Sequence, residues 1–124
     1  MNKIIISNLN DDTEVSKNRG WMVGHFAKPP FSNKDFELKW SKHKKGEKKT
    51  KLALNKTAKT VWILISGKVK IVFPENNKEI VMEKEGDYCF YSNKVKHSWE
   101  ILEDCISINI RWPSVPNDQV EDKQ

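Results

Sequence analysis

Cysteine is scarce. Cys89 and Cys105 are the only two, too few to require a disulfide framework. Both lie in apolar, strand-like runs and read as buried thiols of a reducing cytoplasm; a bridge or a catalytic thiol are the lesser alternatives. Long apolar runs are missing as well. The start, "MNKIIISNLNDD", offers three consecutive isoleucines, too short a run for a signal peptide. No stretch approaches the ~18 apolar residues of a membrane span. The expectation is a soluble, cytoplasmic protein with no membrane partner. Glycine numbers five, and none frames a G-x-S-x-G serine elbow. "GEKKTK" lacks the spacing of a phosphate-cradling loop. No repeat and no Pro/Ser-rich linker divides the chain, and helical periodicity is hard to find.

What is present is positive charge. The net is +5 over 124 residues. Asp118, Glu121 and Asp122 against Lys123 leave residues 113–124 at −2 and residues 1–112 at +7. Much of the excess comes from "KWSKHKKGEKKTK", residues 39–51. A basic body favours anionic partners. The run carries lysine rather than arginine and few aromatics, so it reads as a solvated loop and not as a nucleic-acid surface.

Alternation is plentiful. "FELKW" sets Phe36, Leu38 and Trp40 against Glu37 and Lys39. "KVKIVF" aligns Val69, Ile71 and Phe73, and "HSWEI" aligns His97, Trp99 and Ile101. "CISINIRW" sets Ile106, Ile108, Ile110 and Trp112 against Cys105, Ser107, Asn109 and Arg111. Turn signals such as "ISGK", "PENNKE", "EGD", "SNK" and "LED" separate the runs. Short strands at this spacing predict an all-β sandwich or barrel. Gly67, inside "WILISGKVKIVF", marks a bend or bulge. The tail after Trp112 reads as loosely packed or draped over the barrel.

"TVWILISGKVKIVF" and "EIVMEKEGDYCFYSNKVKHSWEIL" together resemble the double-stranded β-helix of the cupins, over roughly residues 36–112. Cupin signatures read G-x5-H-x-H-x3,4-E-x6-G and G-x5-P-x-G-x2-H-x3-N. In the second, Gly86 and His97 match, while Ser92, Lys94 and Ile101 replace proline, glycine and asparagine. In the first, Gly67 matches the closing glycine, and Ala53, Asn55 and Thr60 fall on the two histidines and the glutamate. "GWMVGHFAKPPFSNKDFELKWSKHKKGE" and "DCISINIRWPS" further resemble small stand-alone bacterial cupins. The resemblance implies a single-domain jelly-roll β-barrel. Residues 1–112 form it, with 1–35 as N-terminal strands and loop, followed by an acidic, proline-containing tail over 113–124. It also implies a degenerate metal motif. One imidazole with an alanine and two neutral oxygens makes a poor transition-metal site, so no metal and no cofactor are expected. Cupins often dimerise, and a homodimer is an expectation from the resemblance alone.

The candidate ligand-binding residues are His97, His25, Trp40, Trp99, Lys39, Arg111, Glu37 and Tyr91. His97 shares a face with Trp99 and Ile101, and reads equally as a core histidine or a barrel-mouth contact. His25 shares the face of Trp21 and Val23 and carries the same two readings. Trp40 and Trp99 would be ring-stacking walls, and Lys39 and Arg111 counter-charges. Parity leaves open which face of "CISINIRW" is inside, and with it whether Arg111 points inward. His43 reads as solvated in its basic loop. The function expected first is metal-free binding of a small anionic, ring-bearing ligand, nucleotide-like or an acidic metabolite, for sensing or sequestration. The alternative is a cupin enzyme, either an atypical metal-dependent oxygenase or isomerase, or a metal-free isomerase or epimerase with His97 as acid/base. A third reading is an interaction module whose barrel is simply filled.

Overall fold

The computed structural model describes residues 2–122. Two long strands organise it. β4 runs Lys59–Phe73 and β7 runs His97–Trp112, antiparallel to each other over most of their length. The turn signals "ISGK" and "LED" predicted breaks in both, yet each strand continues and bends instead. The register slips on either side of Ser66 and Lys68. Gly67 takes φ +94° there, in the left-handed region that glycine tolerates. A Cβ at Gly67 would overlap Asp104 O on β7, so the two backbones bend in contact. Across this bulge β4 changes parity. Thr60, Trp62 and Leu64 are buried before it, Val69, Ile71 and Phe73 after it.

The bend curls one continuous eight-stranded sheet into two halves, the two sheets of the jelly roll, and both strands run through both halves. On one side, β1 (Trp21–Val23) pairs with β2 (Glu37–His43), and β2 pairs with the second half of β7. That half of β7 pairs with the first half of β4, which carries β6 (Tyr88–Tyr91). On the other side, β3 (Lys48–Asn55) pairs with the first half of β7, and β5 (Lys78–Met82) with the second half of β4. The tail does more than drape. β8 (Gln119–Glu121) adds a strand beside β3. Asp118 is buried and accepts hydrogen bonds from Thr57 N and Ala58 N, both at 2.9 Å.

The architecture is all-β, a curled two-sheet jelly roll. The alternation did not announce the short helix α1 (Thr13–Lys17) or the 3-10 turn Pro74–Asn76. Asp12 caps α1 by accepting from Val15 N. One core cluster bridges the sheets: Trp62, Leu64, Val69, Ile71, Phe73, Met82, Tyr91, Ile101 and Cys105. Cys89 is half-buried and Cys105 buried, both as free thiols, and burial pushes the Cys89 thiol up to about 11. No helix among the described residues is long and apolar enough to cross a membrane.

Candidate functional site

The open parity question has a clear outcome. The polar side of β7 faces inward. Cys105 and Ser107 are buried, and Asn109 and Arg111 line a cavity of about 650 Å³ between the sheets. Ile106, Ile108 and Ile110 lie on the outer side, half-buried beside cross-strand neighbours. Ile108 faces Trp40 and Ile63 in register, and Ile110 faces Leu38 and Val61. Register then carries the inward set to β2, where Glu37 opposes Arg111, Lys39 opposes Asn109 and Ser41 opposes Ser107.

Arg111 sits at the centre of a polar network. Its Nε lies 2.7 Å from Glu37 Oε1, with both side chains largely buried. The Nε–H does not point along that line, so charge rather than an aligned hydrogen bond holds the pair. Glu37 Oε2 accepts from Ser114 Oγ at 2.8 Å. Ser114 Oγ in turn accepts from His25 N at 2.9 Å and from His25 Nδ1 at 2.7 Å. His25 and Glu37 therefore stand behind Arg111 and do not line the cavity. Arg111 also lies over Trp21, its Cζ 4.1 Å from the ring centroid.

Lys39 is a second inward cation. It lies on the cavity wall, its Nζ 5.7 Å from the Trp21 ring. Among the described residues no carboxylate comes within 4.0 Å of it. Burial, helped by Arg111, Arg19 and Lys49, lowers its pKa to about 8. Lys49, also on the wall, is paired with Glu121 at 2.9 Å.

His97 is buried and also lines the cavity. Its Nδ1 lies 3.0 Å from Val95 O. A carbonyl only accepts, so Nδ1 carries the proton and Nε2 presents a lone pair. The Tyr91 hydroxyl lies 3.4 Å from that Nε2. Desolvation lowers the His97 pKa, so the ring is neutral at neutral pH. Trp99 forms a wall, edge-on to Trp62 with centroids 6.3 Å apart. Trp40 also touches the cavity, but it belongs to the outer parity and donates its indole N–H to Asn10 Oδ1 at 3.0 Å.

Two residues of the site escaped sequence reasoning. His43 was read as solvated, yet it ends β2 on the inward parity, half-buried, and lines the cavity. It packs on Trp99 with centroids 4.9 Å apart, and Glu47 lies 2.8 Å from its Nδ1. The alternation Glu37, Lys39, Ser41, His43 carried the signal. Trp21 was seen only as a face-mate of His25; it provides the ring beneath both cations.

The cupin ligand positions do converge. Ala53 and His97 are register partners, and Asn55 Nδ2 donates to Thr60 Oγ1 at 3.0 Å. They do not fit a transition metal. Ala53 has no donor, Asn55 is engaged at both ends because its Oδ1 lies 3.4 Å from Arg111 Nη1, and one imidazole remains. Among the described residues no three His, Cys, Asp or Glu side chains gather.

No family model matches the chain, and no curated protein matches its sequence. Solved structures do match its shape. A conserved protein with a double-stranded β-helix domain from Klebsiella pneumoniae superposes with a TM-score of 0.61 at 16% identity, covering 74% of this chain and 78% of that one. A cupin superfamily protein from Desulfitobacterium hafniense gives 0.58 at 13% identity, covering 74% of each. The DMSP lyase DddQ from Ruegeria pomeroyi gives 0.61 at 13% identity, covering 73% of this chain and 45% of its own. With two bent strands shared between two sheets, and with these neighbours, the chain has the double-stranded β-helix fold of the small cupins.

Proposed function

We propose that the cavity binds a small anionic, ring-bearing molecule without a metal, for sensing or sequestration. Lys39 carries the reading: it is an inward ammonium on the cavity wall with no carboxylate within 4.0 Å among the described residues. An unpaired buried charge is costly, and a bound anion removes that cost. Trp21 and Trp99 supply flat faces against which a ring would lie. The test is calorimetry with nucleotides, sugar phosphates and neutral sugars at low and high salt. Raising salt should slow association strongly, because the exposed lysines of residues 42–51 act over the ~8 Å Debye length. Dissociation should change little, because Lys39 and Arg111 are less screened. Tight, salt-independent binding of a neutral sugar would refute the reading.

A second reading, metal-free acid/base catalysis, is favoured by the pinned tautomer of His97. A neutral imidazole with its Nε2 lone pair beside a cavity is a general base in waiting. Turnover that fits a base of depressed pKa and is lost in His97→Gln would move that reading to first place.

A further inference from the structure

We propose that Lys39 is a carbonyl-capturing amine, and that the ligand class is a 2-oxo acid held as an imine on its Nζ. The inference rests on the anion-binding reading above and narrows its ligand. Three features of the cavity support it. Lys39 has no ion-pair partner among the described residues, whereas Lys49 beside it is held by Glu121 at 2.9 Å. Its neighbours are cations: Arg111, Arg19 and Lys49 all disfavour the ammonium. Of the three, Arg19 lines the cavity with no carboxylate within 4.0 Å among the described residues, and a carboxylate next to the reacting carbonyl would meet that free guanidinium. Trp21 lies beneath Lys39 and Arg111 together, so the amine and the Glu37-paired guanidinium share one aromatic platform.

The amine also has the right protonation. A pKa of about 8 leaves roughly a tenth of Lys39 neutral at pH 7. An ordinary lysine keeps about one part in a few thousand neutral. Lower basicity makes each neutral amine somewhat less nucleophilic, so the net advantage is on the order of tenfold or more.

The chemistry balances without an oxidant or reductant. The Nζ lone pair attacks the carbonyl carbon, an N–C bond forms, and the C=O π pair moves to oxygen. A proton passes from nitrogen to that oxygen, giving a carbinolamine. The nitrogen pair then forms C=N as the hydroxyl leaves as water, the second nitrogen proton going with it. One amine and one carbonyl give one imine and one water, and the carboxylate is retained.

The experiment uses the full chain with phenylglyoxylate and cyanoborohydride at pH 7. The hydride reduces the imine to a stable secondary amine, and peptide mass mapping locates it. Mandelate, the same acid with a hydroxyl for the carbonyl, is titrated by calorimetry and used as a competitor. Benzaldehyde is the carbonyl without the acid. The expected result is labelling of Lys39 at least tenfold faster than of any other lysine, blocked by mandelate and slower with benzaldehyde. Total labelling of Lys39→Met should fall to the rate of the exposed lysines. If mandelate binds but the label spreads evenly over exposed lysines, the imine is overturned and anion binding stands. If mandelate does not bind and Lys39 is not labelled, both fall. Labelling of Lys39 by benzaldehyde as fast as by the acid, or with no protection by mandelate, overturns the 2-oxo acid assignment.

Discussion

Replacing Lys39 by methionine should stabilise the unliganded protein at neutral pH. Methionine keeps the length and apolar stem of lysine and removes the ammonium. The Lys39 pKa is about 8 when folded and 10.5 in the unfolded chain. Below pH 8 both states carry the proton, and the folded state bears the whole cost of the buried charge. Between pH 8 and 10.5 the unfolded chain binds more protons, so stability rises with pH. Above 10.5 both states are neutral and the cost is gone. A fall from 10.5 to about 8 corresponds to at most ~3.5 kcal/mol. Water reaching a half-buried amine screens part of this, leaving about 2 kcal/mol.

Urea unfolding of both proteins at half-unit steps from pH 7 to 10.5 measures it. Taking the difference matters, because the buried thiols act the other way. Cys89 is raised to about 11 when folded, so its contribution falls as pH rises above 9. That term is common to both proteins and cancels. Lys39→Met should lead by about 2 kcal/mol at pH 7, and the lead should shrink through pH 8–10.5. A constant difference across the range would show that the Lys39 amine is solvated, and would refute the account of the site as an unpaired cation.

Glu37→Gln leaves Arg111 buried without its counter-charge and should cost about 3–5 kcal/mol in urea unfolding; an unchanged midpoint would mean that Asn55 and Gln119 suffice to hold the guanidinium. Ile71→Ala, in the closed core, should cost roughly 2–5 kcal/mol, and His97→Ala clearly less while weakening ligand binding; equal drops in Tm would make His97 a packing residue only. Gly67→Ala should destabilise by several kcal/mol, since φ +94° and the Asp104 carbonyl both oppose a Cβ; a wild-type Tm would show that β4 and β7 separate easily at the bend. Wild-type stability should fall as pH drops below 6.5, because the unfolded chain protonates its histidine before buried His97 does; His97→Gln should flatten that slope in the same urea series.

Much of the fold was legible in the residues. Alternation located β2, β4 and β7, and Gly67 marked the bend. The spacing of Gly86 and His97 pointed to the cupin fold that the neighbours share. Continuity was not legible. "LED" looks like a turn because Glu103 and Asp104 are adjacent charges, but Gly67 lets the opposite strand follow the bend, and β7 passes through. The left-handed turn at Lys94, where cupin signatures have glycine, shows φ +66° kept without the usual residue. Tail pairing was hidden because β8 is short and exposed, and its anchor, Asp118, works through side-chain acceptance from Thr57 and Ala58 backbone.

The site was harder to read, because hydrophobicity points the wrong way along β7. Its even positions, Ile106, Ile108 and Ile110, are the apolar ones, and a filled barrel would turn them inward. They face outward here, and Ser107, Asn109 and Arg111 face in. The inversion has a physical cause. β2, the first half of β4 and the second half of β7 carry polar groups that satisfy one another: Trp62 Nε1 donates to Ser107 Oγ at 2.7 Å, and Ser41 Oγ to Asn109 Oδ1 at 3.1 Å. Each such pair lets a polar side chain be buried at little net cost. Lys39 breaks that pattern, since no partner among the described residues meets its amine. A barrel selected only for packing would place isoleucine on these inward positions and an exposed lysine outside. A polar interior that leaves the Lys39 amine unmet among the described residues is instead the arrangement that a bound anion would complete.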